Sequence, residues 1–430
     1  MSLDFSNARI KEHMMKGRFG LKKESLRVTE KGYLSHTKHP FGDDPRMERD
    51  FCENQTELIT EVADSAYGAR QSLAKLQKKA VTTLLSLDSG KELMWPFSNP
   101  PYVLGENDIP IAAFHGNLKG KELYREYLAV KYGKHKMLYS GIHFNFSFGD
   151  DLLKAAFAFS GFSDFQEYAD SVYLELAKKA TAYSWLIVYL TAASPVMDGS
   201  FLDEKDLGRD VLTKYSSPRC GKNGYWNDFI PFLDYGTRQE YADSIAFYVK
   251  SGQLKEVSEL YYPVRLKPKG ENSLEQLKKN GIDHIELRML DLNPLDPVGI
   301  CEEDLEFLHL FLLYLMSLKD GDFPAFEQSV AIKNEQNAAG YDEKNVWIET
   351  GWDTSLPLRE AALAVLTGME HFSVHFTDKK WTDVIDFQKQ KILCPEKRYA
   401  VRVRSLFSEN YVEKGLLLAE KYAKEWAAAI

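Results

Sequence analysis

Three observations predict an α+β fold in which helices cover one face of a sheet and the other face lines a cleft. Five segments carry helical periodicity with charged outer faces, four short segments alternate every second residue, and the polar sides of those four repeatedly hold Asp, Glu and His. A sheet face simply left in water would carry interchangeable polar residues, so the recurring acids point to a cleft where divalent cations offset their mutual repulsion. The 430 residues, 44% of them hydrophobic, can bury a large core. No Gly/Ser, Pro-rich or single-charge tract interrupts them as a linker would, so one domain over residues 1–430 is expected.

The first strand is read at Phe19–Val28 (FGLKKESLRV), where Lys22 and Glu24 share one side and Lys23, Ser25 and Arg27 the other. The second is Phe51–Ile59 (FCENQTELI), with Glu53, Gln55 and Glu57 on one side and Asp50 just before it. In Gly141–Phe148 (GIHFNFSF), Ile142, Phe144, Phe146 and Phe148 oppose His143, Asn145 and Ser147. In His284–Leu290 (HIELRML), Ile285, Leu287 and Met289 alternate with Glu286 and Arg288. Helices are expected over 69–87, 165–182, 302–318, 358–372 and 411–428. The uncharged run Ala180–Met197 is diluted by Thr, Ser, Tyr and Pro and abutted by Lys178 and Lys179, which suits a buried core helix better than a membrane span.

A formal charge of −9 argues against a partner held by its phosphates alone, so nucleic acid is not expected. Cys52, Cys220, Cys301 and Cys394 are far apart and form no C-x-x-C pair, which suggests neither a zinc site nor a disulfide framework. The start lacks the basic end and apolar stretch of a signal peptide, and a cytoplasmic protein is expected. There is no G-x-x-x-x-G-K-[ST] loop and no G-x-G-x-x-G, so a nucleotide would be held through metal ions and cationic side chains. Serine-hydrolase and zinc-protease signatures are missing too.

Seven blocks, in order, resemble the signature of bacterial glutamate–cysteine ligases. They are FGLKKESLRV at 19–28, DFCENQTELIT at 50–60, MWPFSNPP at 94–101, LYRE at 123–126, SGIHFNFS at 140–147, Ala193–Pro195 with Ser200–Leu202, and IELRMLDLNP at 285–294. The resemblance runs from about Gly17 to Pro297. It implies a glutamine-synthetase-like fold, a curved and mainly antiparallel sheet forming an open half-barrel with helices packed outside. It also implies ATP-dependent joining of the glutamate γ-carboxylate to the amine of cysteine, the first step of glutathione synthesis. The length leaves no room for an added glutathione synthetase domain, so the two-step fusion form is not expected.

The resemblance gives metal-ligand roles, for Mg2+ or Mn2+ in its place, to Glu24, Asp50, Glu57, His143 and Glu286, with Glu53 a weaker candidate. It gives Arg288 the transferring phosphoryl group of ATP, and Arg219, Tyr225, Tyr124 and Tyr261 the amino acids. An arginine suits a carboxylate because its planar fork donates two parallel hydrogen bonds. Taken alone, His143 fits a hydrogen-bonded core histidine, Arg288 fits a structural partner of Glu286, and the three tyrosines, among 23, fit ordinary packing.

Three places depart from the family pattern. Lys22 stands where a glutamate is expected, and a unit pair about 4 Å apart interacts by roughly 4 kcal/mol at an effective dielectric of ~20. An ion beside Lys22 would lose an attraction and gain a repulsion. The ammonium then occupies the place of a cation, pairing with Glu24, Asp50 or Glu286 and leaving partial activity at the remaining ions, or swings out to solvent, or marks a chain that binds nucleotide or amino acid without ligase turnover. Met137 stands where glutamine is usual, which leaves open an acceptor other than cysteine, and Cys220-Gly221 departs from the usual polar pair after the arginine.

Overall fold

The computed structural model describes residues 3–351, 354–376 and 378–428. Its main sheet is built from β1 (Gly17–Thr29), β2 (Met47–Arg49), β3 (Gln55–Ile59), β4 (Glu92–Met94), β5 (Gly141–Phe148), and, after a small hairpin of β6 (Val196–Asp198) and β7 (Asp210–Leu212), from β8 (Val264–Lys267) and β9 (His284–Asp291). A second hairpin joins β10 (Trp347–Gly351) to β11 (Thr354–Pro357). The strand order is β2-β3-β1-β5-β9-β8, with β4 on the far end of β1, and every pairing is antiparallel.

Register assigns the two faces. Phe19 lies opposite Phe146, Leu21 opposite Phe144 and Lys23 opposite Ile142, so these six share one side, while Lys22 opposes His143 on the other. The apolar side packs on the helix Glu302–Ser317, where the His309 ring sits 4.9 Å from Phe19 and 5.3 Å from Phe146. Burial pushes His309 down to about 3, so it is a neutral core histidine. That helix is apolar on nearly every side because further helices cover it, including Ala66–Leu85, Phe165–Ala182 and Lys380–Leu393. Ala66–Leu85 starts where the Ser65 hydroxyl accepts the Gly68 N–H at 3.1 Å, a cap contributing about 1 kcal/mol, and it buries Ala69, Leu73, Leu76, Ala80 and Leu84 at helical spacing.

Three local expectations are corrected. Phe51–Asn54 is not strand but the connection between β2 and β3, closed by the Gln55 N–H donating to the Cys52 carbonyl at 3.0 Å. The run Ala180–Met197 is not one helix: Phe165–Ala182 ends at Tyr183 (φ −107°, ψ 10°), a second helix covers Ser184–Thr191, and β6 follows Pro195. It is buried as expected, and among the described residues no helix is long and apolar enough to cross a membrane. Finally, the alternation of β9 breaks, because the register jumps from Ile142 opposite Leu290 to Phe144 opposite Leu287. Arg288 and Met289 occupy this bulge opposite His143, and a bulge re-aims the side chains it carries.

Candidate active site

The polar side of the sheet brings together residues far apart in sequence. Glu24 of β1 and Glu57 of β3 are directly opposed, His143 follows on β5, and Glu286 and Arg288 on β9. The Glu24 carboxylate accepts the Gly141 N–H at 2.9 Å and lies 3.5 Å from His143 Nε2. His143 Nδ1 lies 3.8 Å from Glu286 and 3.4 Å from Arg288 Nη1, and Arg288 donates to Glu286 at 3.0 Å. One ligand atom each from Glu24, Glu57 and His143 can be chosen so that all lie within 4.8 Å of one another.

The electrostatics are those of a site built for added positive charge. Burial, and next the Asp50 carboxylate, push Glu24 up to about 8. Burial and then Glu57 likewise raise Asp50 above the usual range. Burial opposes the charge on Glu286, but Lys267 and Arg288 outweigh it and hold that carboxyl well below the ordinary value. Burial, with Arg288 next, keeps His143 neutral. Its Nε2 is buried without a hydrogen-bond partner. A neutral imidazole nitrogen without a partner, beside carboxylates that repel one another, fits a divalent cation with mixed oxygen and nitrogen ligands.

Lys22 is not paired with Glu24, Asp50 or Glu286. Its ammonium lies 2.6 Å from Glu57, which β3 holds diagonally across from it. Burial disfavours that charge, yet Glu57 and then Glu286 outweigh it and hold the lysine above its usual pKa. Glu53 lies in the β2–β3 connection, where its two carboxylate oxygens accept the backbone N–H groups of His39 at 2.8 Å and Ala113 at 2.9 Å. It braces two loops and stands apart from the acid cluster.

The aromatic residues gather on the neighbouring wall. The Tyr225 and Tyr261 rings are 4.4 Å apart, Tyr261 contacts Tyr132 at 5.4 Å, and Tyr124 is near enough to feel Tyr225 and to act on Tyr261. Met137 is buried with its sulfur 3.9 Å from the Tyr261 hydroxyl. Arg219 borders the same pocket, donating to the carbonyls of Arg288 at 3.0 Å and Leu290 at 3.3 Å, while its Nε has no partner. Gly141 permits this, since a Cβ there would sit 2.5 Å from the guanidinium carbon.

Lys267 was not singled out from the sequence, although it lies 3.4 Å from Glu286. Burial lowers it to about 8 despite that carboxylate. With Arg18, Lys22, Asn145, Lys269 and Glu286 it lines a cavity of about 550 Å3 over the polar sheet face, a volume within the range of ligand pockets. The signal was the alternation in VRLK at 264–267, with Arg265 opposite Glu286, which four residues make too short to stand out.

A family profile described as glutamate-cysteine ligase matches residues 3–253 and 248–338. The chain is 36% identical to the glutathione biosynthesis bifunctional protein GshAB of Listeria monocytogenes over 97% of its own length and 56% of the relative's, so it spans about half of that protein. It is 28% identical to the glutamate–cysteine ligase of Clostridium acetobutylicum, covering 97% of this chain and 98% of the other. The crystal structure of a bifunctional glutathione synthetase from Pasteurella multocida superposes with a TM-score of 0.84 at 26% identity, over 99% of this chain and 54% of that one. A glutamate–cysteine ligase from Francisella tularensis in complex with AMP shares the fold, with a TM-score of 0.84 at 23% identity over 96% and 89% of the two chains. With the family profile and the Listeria relative both spanning most of its length, the chain belongs to the glutamate–cysteine ligase family.

Proposed function

We propose that the chain joins the γ-carboxylate of glutamate to the amine of cysteine with ATP, through a γ-glutamyl phosphate. The observation that carries this reading is the convergence of Glu24, Glu57, His143 and Glu286 beside Arg288, with Glu286 also lining a cavity of about 550 Å3 that holds Arg18, Lys22, Lys267 and Lys269.

A carboxylate is a poor acyl donor. Its oxygen attacks the γ-phosphorus of ATP, the bond to the β,γ-bridging oxygen breaks, and ADP leaves. The amine then attacks the acyl carbon, phosphate departs, and the amine loses its proton. Two anions must meet in the first step, and catalysis rests on positioning and charge. Arg288, oriented by its 3.0 Å bond to Glu286, stabilises the transferring phosphoryl group. Lys267, Lys269 and Arg18 bind the polyphosphate in the cavity. Tyr225 and Tyr261, with Tyr124 beside them, form the wall against which the amino acids lie, and Arg219 lines the same pocket and supplies positive charge for a substrate carboxylate. Glu24, Asp50, Glu57, His143 and Glu286 are the residues that would hold Mg2+, or Mn2+ in its place. When bound, the ion neutralises charge on the phosphates.

Two observations favour variants of this reading. Met137 against Tyr261 puts a thioether where an amide could have bonded the acceptor, which favours a different amine. The Lys22–Glu57 pair favours a chain that binds ligands with little turnover. Purified protein with ATP, Mg2+, glutamate and a panel of amines, followed by ADP release and product mass, separates them. A γ-glutamylcysteine mass supports the proposal, a product with another amine alone replaces the acceptor, and nucleotide binding without ADP release overturns the ligase.

A further inference from the structure

The charges of the site are unevenly matched. Glu286 has Arg288 at 3.0 Å and Lys267 at 3.4 Å, and Glu57 has Lys22 at 2.6 Å. Among the described residues, neither Glu24 nor Asp50 forms an ion pair with a lysine or arginine, and beside Glu24 stands the His143 Nε2 that has no partner. Ligand atoms of Glu24, Glu57 and His143 within 4.8 Å of one another, with that unpartnered imidazole nitrogen among them, make a place for one divalent ion. A second place, on Glu57 and the cavity wall that holds Glu286, is filled from the protein itself.

Lys22 cannot easily vacate that position. β1 is hydrogen-bonded on both sides, to β3 and to β5, so its polar face is fixed toward the acids. Withdrawing the ammonium would leave the Glu57 carboxylate, 12% exposed, without its counter-charge. Lys22 also lines the cavity assigned above to the nucleotide.

We propose that Lys22 is a built-in monovalent cation of this site, taking the Glu57 carboxylate and facing the polyphosphate, so that the chain binds one divalent ion fewer than it would with an acid at position 22. This rests on the nucleotide-dependent ligase reading. Two consequences follow. Part of the nucleotide affinity survives removal of divalent ions, because an ammonium contacts phosphate directly. Reversing the charge creates an additional ion site.

The test counts Mn2+ bound per chain by electron paramagnetic resonance, with β,γ-methylene-ATP present, for the native chain, Lys22→Glu and Lys22→Gln. Lys22→Glu should bind one more Mn2+ than the native chain. Lys22→Gln should bind the analogue at least tenfold more weakly than the native chain when EDTA is present. Equal Mn2+ counts for native and Lys22→Glu proteins, both with a cooperative melt, overturn the proposal. If Lys22→Glu does not fold, the Lys22→Gln arm decides, and unchanged analogue affinity in EDTA overturns it. A native chain that takes up neither Mn2+ nor analogue overturns the underlying ligase reading as well. Native binding with indifferent variants removes only the role of Lys22.

Discussion

Glu335 lies on the helix Ala325–Ala338 and lines the pocket shared by Arg219, Tyr225 and Tyr262, and it is 2% exposed with Oε2 lacking a hydrogen-bond partner. Burial pushes its carboxyl up to about 7 from 4.5, offset in part by Ser184 and Arg219. Because the folded value is the higher one, its contribution to stability is fully present below pH 4.5 and is lost as pH rises through about 7. A rise of that size, at 1.36 kcal/mol per pH unit, makes the ionised form cost about 3 kcal/mol at pH 8. Glu335→Gln removes the ionisation and keeps the shape. It should be no more stable than the native chain at pH 5 and more stable by about 2–3 kcal/mol at pH 8. Urea unfolding at half-unit steps between pH 5 and 8 reads the difference. A stability gap between the two proteins that stays constant over this range would refute the reasoning.

Arg288→Lys keeps the charge but loses the fork, and should lower kcat about 100-fold or more with a smaller change in the KM for ATP, read by ADP release. Glu24 is held up to about 8, so metal-free protein should lose stability as pH rises from 4.5 toward 8, and saturating Mg2+ should flatten that slope in thermal melts. Gly141→Ala puts a methyl 2.5 Å from the Arg219 guanidinium carbon and 2.9 Å from the Leu290 carbonyl oxygen. It should cost about 1–3 kcal/mol by denaturant titration and raise the KM for an amino-acid substrate more than that for ATP. Lys391 and Asp304, 2.7 Å apart with side chains 3% and 2% exposed, form a buried pair away from the site. Lys391→Met should destabilise by about 3–5 kcal/mol, measured by urea unfolding, because Asp304 is left charged and buried.

The sequence was legible where a local period determines the outcome. GIHFNFSF has strict alternation, and β5 runs over those eight residues with the phenylalanines on the helix side and His143 on the other. It was less legible where a non-local contact decides. Nothing in FCENQTELI says that Glu53 will be drawn off by the N–H groups of His39 and Ala113, which turns the first half of an apparent strand into a loop brace. The bulge at Arg288 and Met289 is likewise invisible in IELRML, since it depends on how β9 pairs with β5. The partner of Lys22 follows from the offset of β3 against β1, which puts Glu57 across from Glu24 and within reach of the lysine. Helical period was legible in Ala66–Leu85 and Glu302–Ser317, but the break at Tyr183 falls inside an unbroken apolar run.

Successive lysines on β1 meet opposite worlds. Lys23 is buried under the helices, bonded to the Val298 carbonyl at 2.8 Å and to Gln77 at 3.1 Å, while Lys22 stands among the acids. Sliding β1 by one residue would exchange them, but it would also turn Phe19 and Leu21 out of the core, at about 3–6 kcal/mol for the two. The aromatic packing of a helix far along the chain therefore selects which amine faces the acids. A substitution that loosens Phe19 against His309 would therefore cost stability and disturb the acid face together.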